Sequence, residues 1–306
     1  MDFQQHADDA IAQLRTIEDM LRWAVSQMSA ANLYYGHGTD NPWDDALQLV
    51  AHAIHLPWRH AVEQKTARLT SQEREAIVNL LDVRINQRVP VPYITGIAWF
   101  CGRAYFVDER VLIPRSPIAE LIKTSFTPYL PGGKAPQRIL DLCAGSGCIG
   151  IACAHQFLEA HVDLLDISFD ALEVAEDNIQ AHDLSDRVVA LQSDLFSAAS
   201  GKYDIIVSNP PYVDADDMAC LPEEFQHEPE LALAAGEDGL DLVHIMLREA
   251  RQYLTDDGIL VLEVGNSYPA LQAAYPNLPF VWPKFEHGGH GICVLRAQDL
   301  DTDFLK

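Results

Sequence analysis

Arg138-Ile139-Leu140-Asp141-Leu142-Cys143-Ala144-Gly145-Ser146-Gly147 decides the fold. The first five residues form a short, mainly apolar run that reads as a buried strand, and the glycine-containing loop behind it opens a helix over Cys148–Gln156. The same alternation continues downstream. Strands are expected at 162–167, 188–192, 203–207 and 258–264, with helices from Asp170 to about Ala181 and from Leu240 to Leu254. Strands that alternate with helices predict a parallel sheet covered on both faces, an α/β domain. Two late, short strands, 280–283 and 291–295, joined by His287-Gly288-Gly289-His290, are expected to add an antiparallel edge.

Upstream the pattern changes. Residues 2–28 carry apolar positions at helical spacing (Ile11, Leu14, Ile17, Met20, Leu21, Val25). Asn41 caps a second helix with Pro42 at its first position, and Thr70 with Glu73 forms a capping box ahead of a third. Residues 1–92 are therefore expected to be a small helical domain. Residues 93–115 form a β-hairpin linker around a Gly102-Arg103 turn, and 116–306 the α/β domain, entered by a helix from Ser116-Pro117 to about Phe126 and a turn at Pro131-Gly132-Gly133.

The chain of 306 residues is 48% hydrophobic, with mean hydropathy near zero, long enough for one large and one small core. No run approaches a membrane span, and Met1–Gln5 lacks a signal-peptide pattern, so a cytoplasmic location is expected. Six scattered cysteines without a CxxC pair read as small buried residues of a reducing compartment. His287 with His290, or His52 with His55, lacks the further ligands a metal needs, so no metal is expected. Forty-five acidic against 21 basic residues give a net charge of −24, which argues against gripping nucleic acid and is compatible with a basic protein partner.

The candidate chemistry falls at the ends of successive strands, where open α/β sheets bind ligands. Gly145 and Gly147 bring backbone close to a ligand at a helix N-terminus. Asp166, about twenty residues on, is placed to accept ribose hydroxyls. Asp194 with Leu195 and Phe196 is placed to read and pack an adenine. Each carboxylate has a helix cap as its alternative role. Ser208-Asn209-Pro210-Pro211-Tyr212 ends the fourth parallel strand; two prolines remove N–H donors, Asn209 adds an amide oxygen and Tyr212 a flat ring. Acceptors beside an aromatic face suit a planar group bearing an NH2, whereas the bland alternative is a plain Asn-Pro-Pro turn.

Asp-x-x-x-Gly-x-Gly, the acid after strand two, Ser-Asp-Leu-Phe and Asn-Pro-Pro-Tyr resemble the S-adenosylmethionine-dependent methyltransferases that modify amide or amino nitrogen. Pro92–Gly96, Phe106-Val107, Val111–Arg115 and Glu263-Val264-Gly265 more narrowly resemble the protein-glutamine N5-methyltransferases, over nearly the whole chain. Cys143 departs from the first glycine usual in the wider family. Arg115–Glu120 departs from the release-factor-modifying branch; with Trp99–Gly102 and Gly36–Trp43 it is closer to the branch that methylates large-subunit ribosomal protein three. The resemblance implies a seven-stranded Rossmann-like methyltransferase domain with a small helical N-terminal domain and a β-hairpin linker. It implies S-adenosyl-L-methionine as cofactor, held by Asp141, Cys143, Ala144, Gly145, Ser146, Gly147, Asp166, Ile167, Asp194, Leu195 and Asn209. It implies a glutamine amide held by Asn209, Pro210, Pro211 and Tyr212, with Asn209, Pro210 and Tyr212 catalytic. The implied substrate is large-subunit ribosomal protein three, with release factors as the alternative; the net charge of −24 adds the expectation that this basic protein is met in free or early-assembly form. Adenine N6-methylation of nucleic acid is disfavoured by the charge; a ribosome-assembly protein that binds cofactor without turnover is the alternative from another class.

Overall fold

The computed structural model describes residues 3–130, 135–286 and 288–300. By compactness the chain divides into two units, Met1–Ala98 with Pro222–His227, and Trp99–Leu221 with Glu228–Lys306.

The first unit is helical: α1 Phe3–Gln13, α2 Ile17–Ala30, α3 Pro42–Ala53, α4 Trp58–Glu63, α5 Ser71–Asn86 and the short α6 Val91–Thr95. The expected single helix over 2–28 is two. Thr16 and Asp19 form a capping box that ends one helix and starts the next, a signal hidden inside a continuous apolar periodicity. The caps expected at Asn41 and Thr70 are present, Asn41 accepting from the Asp44 N–H at 3.0 Å. Met20, Leu21, Leu49, Ile77 and Leu81 fill the core. Arg84 is buried beside them, donating to Asp45 at 2.9 Å and to the Tyr34 carbonyl at 2.7 Å, so its charge is paired rather than stranded.

A hairpin, β1 Ile97–Phe100 and β2 Arg103–Phe106, turns at Cys101-Gly102, both at positive φ, one residue before the expected Gly102-Arg103 centre. The second unit continues with α7 Ile118–Lys123, β3 Arg138–Leu142, α8 Cys148–Gln156, β4 His161–Asp166, α9 Phe169–Ala181, β5 Val188–Gln192, β6 Tyr203–Ser208, α10 Ala215–Met218, α11 Asp241–Tyr253, β7 Leu254–Glu263, α12 Tyr268–Ala274 and β8 Ile292–Arg296. α7 is shorter than the expected 116–126 helix, and α4, α6, α10 and α12 were not expected. The turn expected at Pro131–Gly133 lies outside the described residues, as does His287.

The sheet order is β5-β4-β3-β6-β7-β8, parallel except for antiparallel β8. The late edge strand is therefore where the sequence places it, but its expected partner at 280–283 makes only one bridge, Val281 to Val294. Six strands stand in the sheet among the described residues, one fewer than the seven implied by the resemblance, because 280–283 makes a single bridge and no ladder. Side chains alternate between two cores. Ile139, Val162, Leu164, Ile205 and Val207 face α8 and α9, while Leu140, Leu142, Leu165, Ile206 and Leu260 face α11 and α12. Strand order reverses between β3 and β6. Leu142 pairs with Leu165 on one side and Ser208 on the other, so three strand ends converge at the switch point.

Candidate active site

A cleft of about 1140 Å3, counting its open mouth, lies over those strand ends. Cys143, Ala144, Gly145 and Ser146 line it from the loop after β3, and Asp166 and Ile167 from the end of β4. Asp194 and Leu195 follow β5, and Asn209 and Pro211 follow β6. Ten residues singled out from sequence are thus gathered from four strand ends. Asp141, Gly147, Pro210 and Tyr212 are not among the described residues that line it, nor is Phe196, which is buried in the core stacked on Tyr253 and not placed to pack an adenine.

The glycine loop is built differently from the expected ligand-facing cradle. Ala144 N–H donates to the Leu165 carbonyl (3.1 Å), Gly147 N–H to the Ala144 carbonyl (2.8 Å), and Gly145 N–H to Asp166 Oδ2 (2.8 Å). Asp141, buried beneath, accepts the Gly150 N–H at 2.8 Å, so a carboxyl group of the chain itself occupies the first turn of α8. Burial pushes the Asp141 carboxyl up to about 8, against the lowering effect of that N–H. Asp141 therefore supports the loop from below and does not reach the cleft. Gly147 has φ +76, and a Cβ there would come within 2.8 Å of Leu164 Cδ1, so it serves the turn and the packing of helix on strand. Cys143 keeps the left-handed path, at φ +57, that the family's usual glycine adopts without strain. For a side-chain residue this costs about 1–2 kcal/mol. A loop whose N–H groups turn inward is unsuited to a pyrophosphate, which needs them turned outward.

Asp166 accepts with both oxygens, from Gly145 N–H and from Ser168 N–H (2.9 Å), so it is both loop clasp and cleft wall. Burial raises its carboxyl above the usual range, opposed by these backbone donors. Asp194 is exposed at the rim, and Ile167 is 51% exposed although it lines the cleft. Across from them, Asn209 Oδ1 is buried with no hydrogen-bond partner among the described residues. A buried acceptor left bare costs about 1–3 kcal/mol, so it marks a place for a donor from outside the chain.

Tyr212 follows the two prolines after Asn209. Its hydroxyl donates to Glu263 Oε1 at 3.2 Å, and Ser267 Oγ donates to its carbonyl at 3.0 Å. A Cβ on Gly265 would fall 2.4 Å from the Tyr212 ring, so only glycine leaves room for it there. Burial first, then the Glu263 charge, pushes the phenol above its ordinary value and keeps it protonated. Glu263 also accepts from Ser116 Oγ at 2.5 Å; burial raises its carboxyl, opposed by Ser116, Tyr212 and Arg115.

A whole wall went unrecognised from residue chemistry. Arg110–Ser116 also lines the cleft, as do Pro229, Leu231 and Ala232. Arg115 joins them, donating to both oxygens of buried Glu228 at 2.6 and 2.8 Å, while Ile113 N–H donates to Glu228 at 3.0 Å. Val111–Arg115 carried only a resemblance. Nothing in its own composition announces a partner 113 residues away.

The family of the methyltransferase small domain matches residues 126–236. The ribosomal protein uL3 glutamine methyltransferase of Francisella tularensis is 48% identical over 97% of this chain and 95% of its own length. That of Bordetella pertussis is 44% identical over 95% and 98%. This chain belongs to the uL3 glutamine methyltransferase family. A solved 16S rRNA N2 G1207 methyltransferase from T. thermophilus is 19% identical over 65% of this chain and 49% of its own, with a TM-score of 0.46.

S-adenosylmethionine is the cofactor of this methyltransferase, and the cleft fits it. Inward-turned loop N–H groups suit a ligand without phosphates, two carboxylates at adjacent strand ends suit a nucleoside, and a bare buried acceptor stands at the far wall. Among the described residues no group of three or more His, Cys, Asp or Glu could hold a metal, and no helix is long and apolar enough to cross a membrane.

Proposed function

We propose that this enzyme methylates the side-chain amide nitrogen of a glutamine in ribosomal protein uL3, the substrate named for its 44–48% identical relatives. The observation that carries the chemistry is the buried, unpartnered Asn209 Oδ1 at the cleft wall, followed by two residues without N–H donors.

An amide nitrogen is a poor nucleophile because its lone pair is delocalised into the carbonyl. Asn209 Oδ1 and the Pro210 carbonyl accept the two amide hydrogens and so aim the nitrogen across the cleft. As positive charge develops on nitrogen, the same oxygens bind those hydrogens more strongly, an effect specific to the transition state. Tyr212, held at its hydroxyl and its carbonyl, keeps its ring beside the amide plane. Asp166 and Asp194 take the ribose and adenine, with Ile167 and Leu195 packing the base; Cys143, Ala144, Gly145 and Ser146 shape the wall. When bound, the cofactor supplies an electrophilic sulfonium methyl. Transfer of that methyl to the amide nitrogen would leave S-adenosylhomocysteine as the departing group, and the surplus proton on nitrogen would pass to water.

The enzyme acts in the cytoplasm, on uL3 that is free or at an early stage of assembly, and does not hold nucleic acid. Its charge of −24 supports that reading, since RNA would repel it. Transfer of labelled methyl to purified uL3, release factor and duplex DNA, tested separately, decides the substrate. Label is expected on a uL3 glutamine alone; label on release factor or adenine instead would overturn the proposal.

A further inference from the structure

Glu263 ends β7 as a carboxylate only 5% exposed, outside the cleft and outside the chemistry above. A buried carboxylate is expensive unless its oxygens are used, and here each oxygen takes a different hydroxyl. Oε1 accepts from Tyr212, which follows the Asn-Pro-Pro turn, and Oε2 accepts from Ser116, which lines the cofactor cleft. Ser116 Oγ in turn accepts the Ile118 N–H at 3.1 Å, so its own proton is committed to Glu263. One side chain therefore ties the wall that carries the substrate ring to the wall that shapes the cofactor cleft.

We propose that Glu263 is a positioning residue, acting through Tyr212, that holds the aromatic wall of the amide subsite in register with the cofactor cleft through Ser116. The proposal rests on the functional reading above. The ring is fixed at three points: the Ser267 bond at its carbonyl, the Gly265 surface at its face, and the Glu263 bond at its hydroxyl. Only the last is a hydrogen bond to the ring itself. Without it the ring is free to tilt away from the amide. Asn209 stays in place, so the glutamine still binds but the nitrogen is aimed less well. The loss therefore falls on kcat rather than on KM.

The test is a double-mutant cycle with uL3 as acceptor. Glu263→Leu removes both acceptors and should lower kcat about tenfold or more, the range for a charge-assisted hydrogen bond, with KM for uL3 and affinity for S-adenosylhomocysteine within about threefold. Glu263→Gln keeps one acceptor and should fall between wild type and Leu. In a Tyr212→Phe background Glu263→Leu should have little further effect. Near-wild-type kcat in Glu263→Leu, or an equal loss from Glu263→Leu whether or not Tyr212→Phe is present, would overturn the proposal. If Glu263→Leu does not fold, Glu263→Gln takes its place in the cycle. A second readout needs neither cofactor nor turnover: in tyrosine-labelled free enzyme, the Tyr212 Cζ resonance should shift in Glu263→Gln while other tyrosines stay put, and an unmoved resonance would overturn the proposal. A wild-type chain inert toward glutamine would sink the functional reading and with it the amide-subsite role, while the Tyr212 resonance would still report whether Glu263 holds the ring.

Discussion

At the residue scale, Asn209 and Asp166 make opposite predictions because their oxygens are used differently. Asn209 Oδ1 has no partner among the described residues, so its loss breaks no hydrogen bond of the fold. Asn209→Ala should leave the melting temperature and S-adenosylhomocysteine affinity close to wild type while lowering turnover on the order of 10²-fold or more. Near-normal turnover in a methyl-transfer assay would remove Asn209 from the chemistry. Asp166 is committed to Gly145 and Ser168. Asp166→Ala should weaken S-adenosylhomocysteine binding by on the order of 10-fold or more, and also lower the melting temperature, because the loop loses its clasp. Calorimetric titration beside thermal melting separates the two. Lowered stability with unchanged affinity would make Asp166 a clasp alone, the cap alternative already open from sequence. The identity of these residues was legible from sequence, because their types and spacing suit one chemistry. Which oxygens remain free was not, since that depends on donors supplied by other loops.

At the scale of the element, strand β3 and helix α8 are joined through Asp141. Its carboxyl is pushed up to about 8 when folded, from an ordinary 3.8. Below the ordinary value it is neutral in both folded and unfolded chains, and its contribution to stability is fully present. As pH rises the unfolded chain releases the proton first while the folded chain keeps it, so stability is lost progressively until the folded group ionises near 8. Asp141→Asn keeps an oxygen for the Gly150 N–H and cannot ionise. Its melting temperature relative to wild type should therefore rise as pH goes from about 5 to about 8. Parallel melting profiles over that range would assign the linkage elsewhere. Strand and helix bounds here match the sequence expectation for β3, α8 and β5; for β3 the reason is that a buried parallel strand has to be a short apolar run, whereas β5 lies at the sheet edge with Val189 and Leu191 exposed. The helix over 2–28 failed because amphipathic spacing continues through a capping box, and only backbone geometry shows which of two compatible readings the chain adopts.

At the scale of the molecule, the net charge of −24 predicts which form of the substrate is preferred. A chain of −24 attracts a free basic protein and is repelled once that protein is docked on RNA phosphates. At about 0.15 M salt the Debye length is about 8 Å, so long-range steering is reduced while repulsion at contact survives. Using uL3 from cells without the enzyme, methylation of the free protein should far outpace methylation of mature large subunits. Added salt should slow capture of the free protein and leave the chemical step alone. Equal rates on both forms would overturn the assembly-stage reading.

The sequence by itself determined the α/β class, the helical start, the antiparallel edge strand and the strand-end residues that meet at the cleft. Each of these depends on local periodicity, caps and spacing, which are written in neighbouring residues. Only the tertiary structure decided that the glycine loop turns its N–H groups inward onto Asp166 and Leu165, that Asp141 sits beneath it, and that Arg115 reaches Glu228. It alone decided that Glu263 receives hydroxyls from two walls. These pairings join residues from 21 to 147 positions apart, except the nine-residue step from Asp141 to Gly150. A buried polar group takes whichever partner the packed chain brings to it, and that choice is made by packing, not by local sequence.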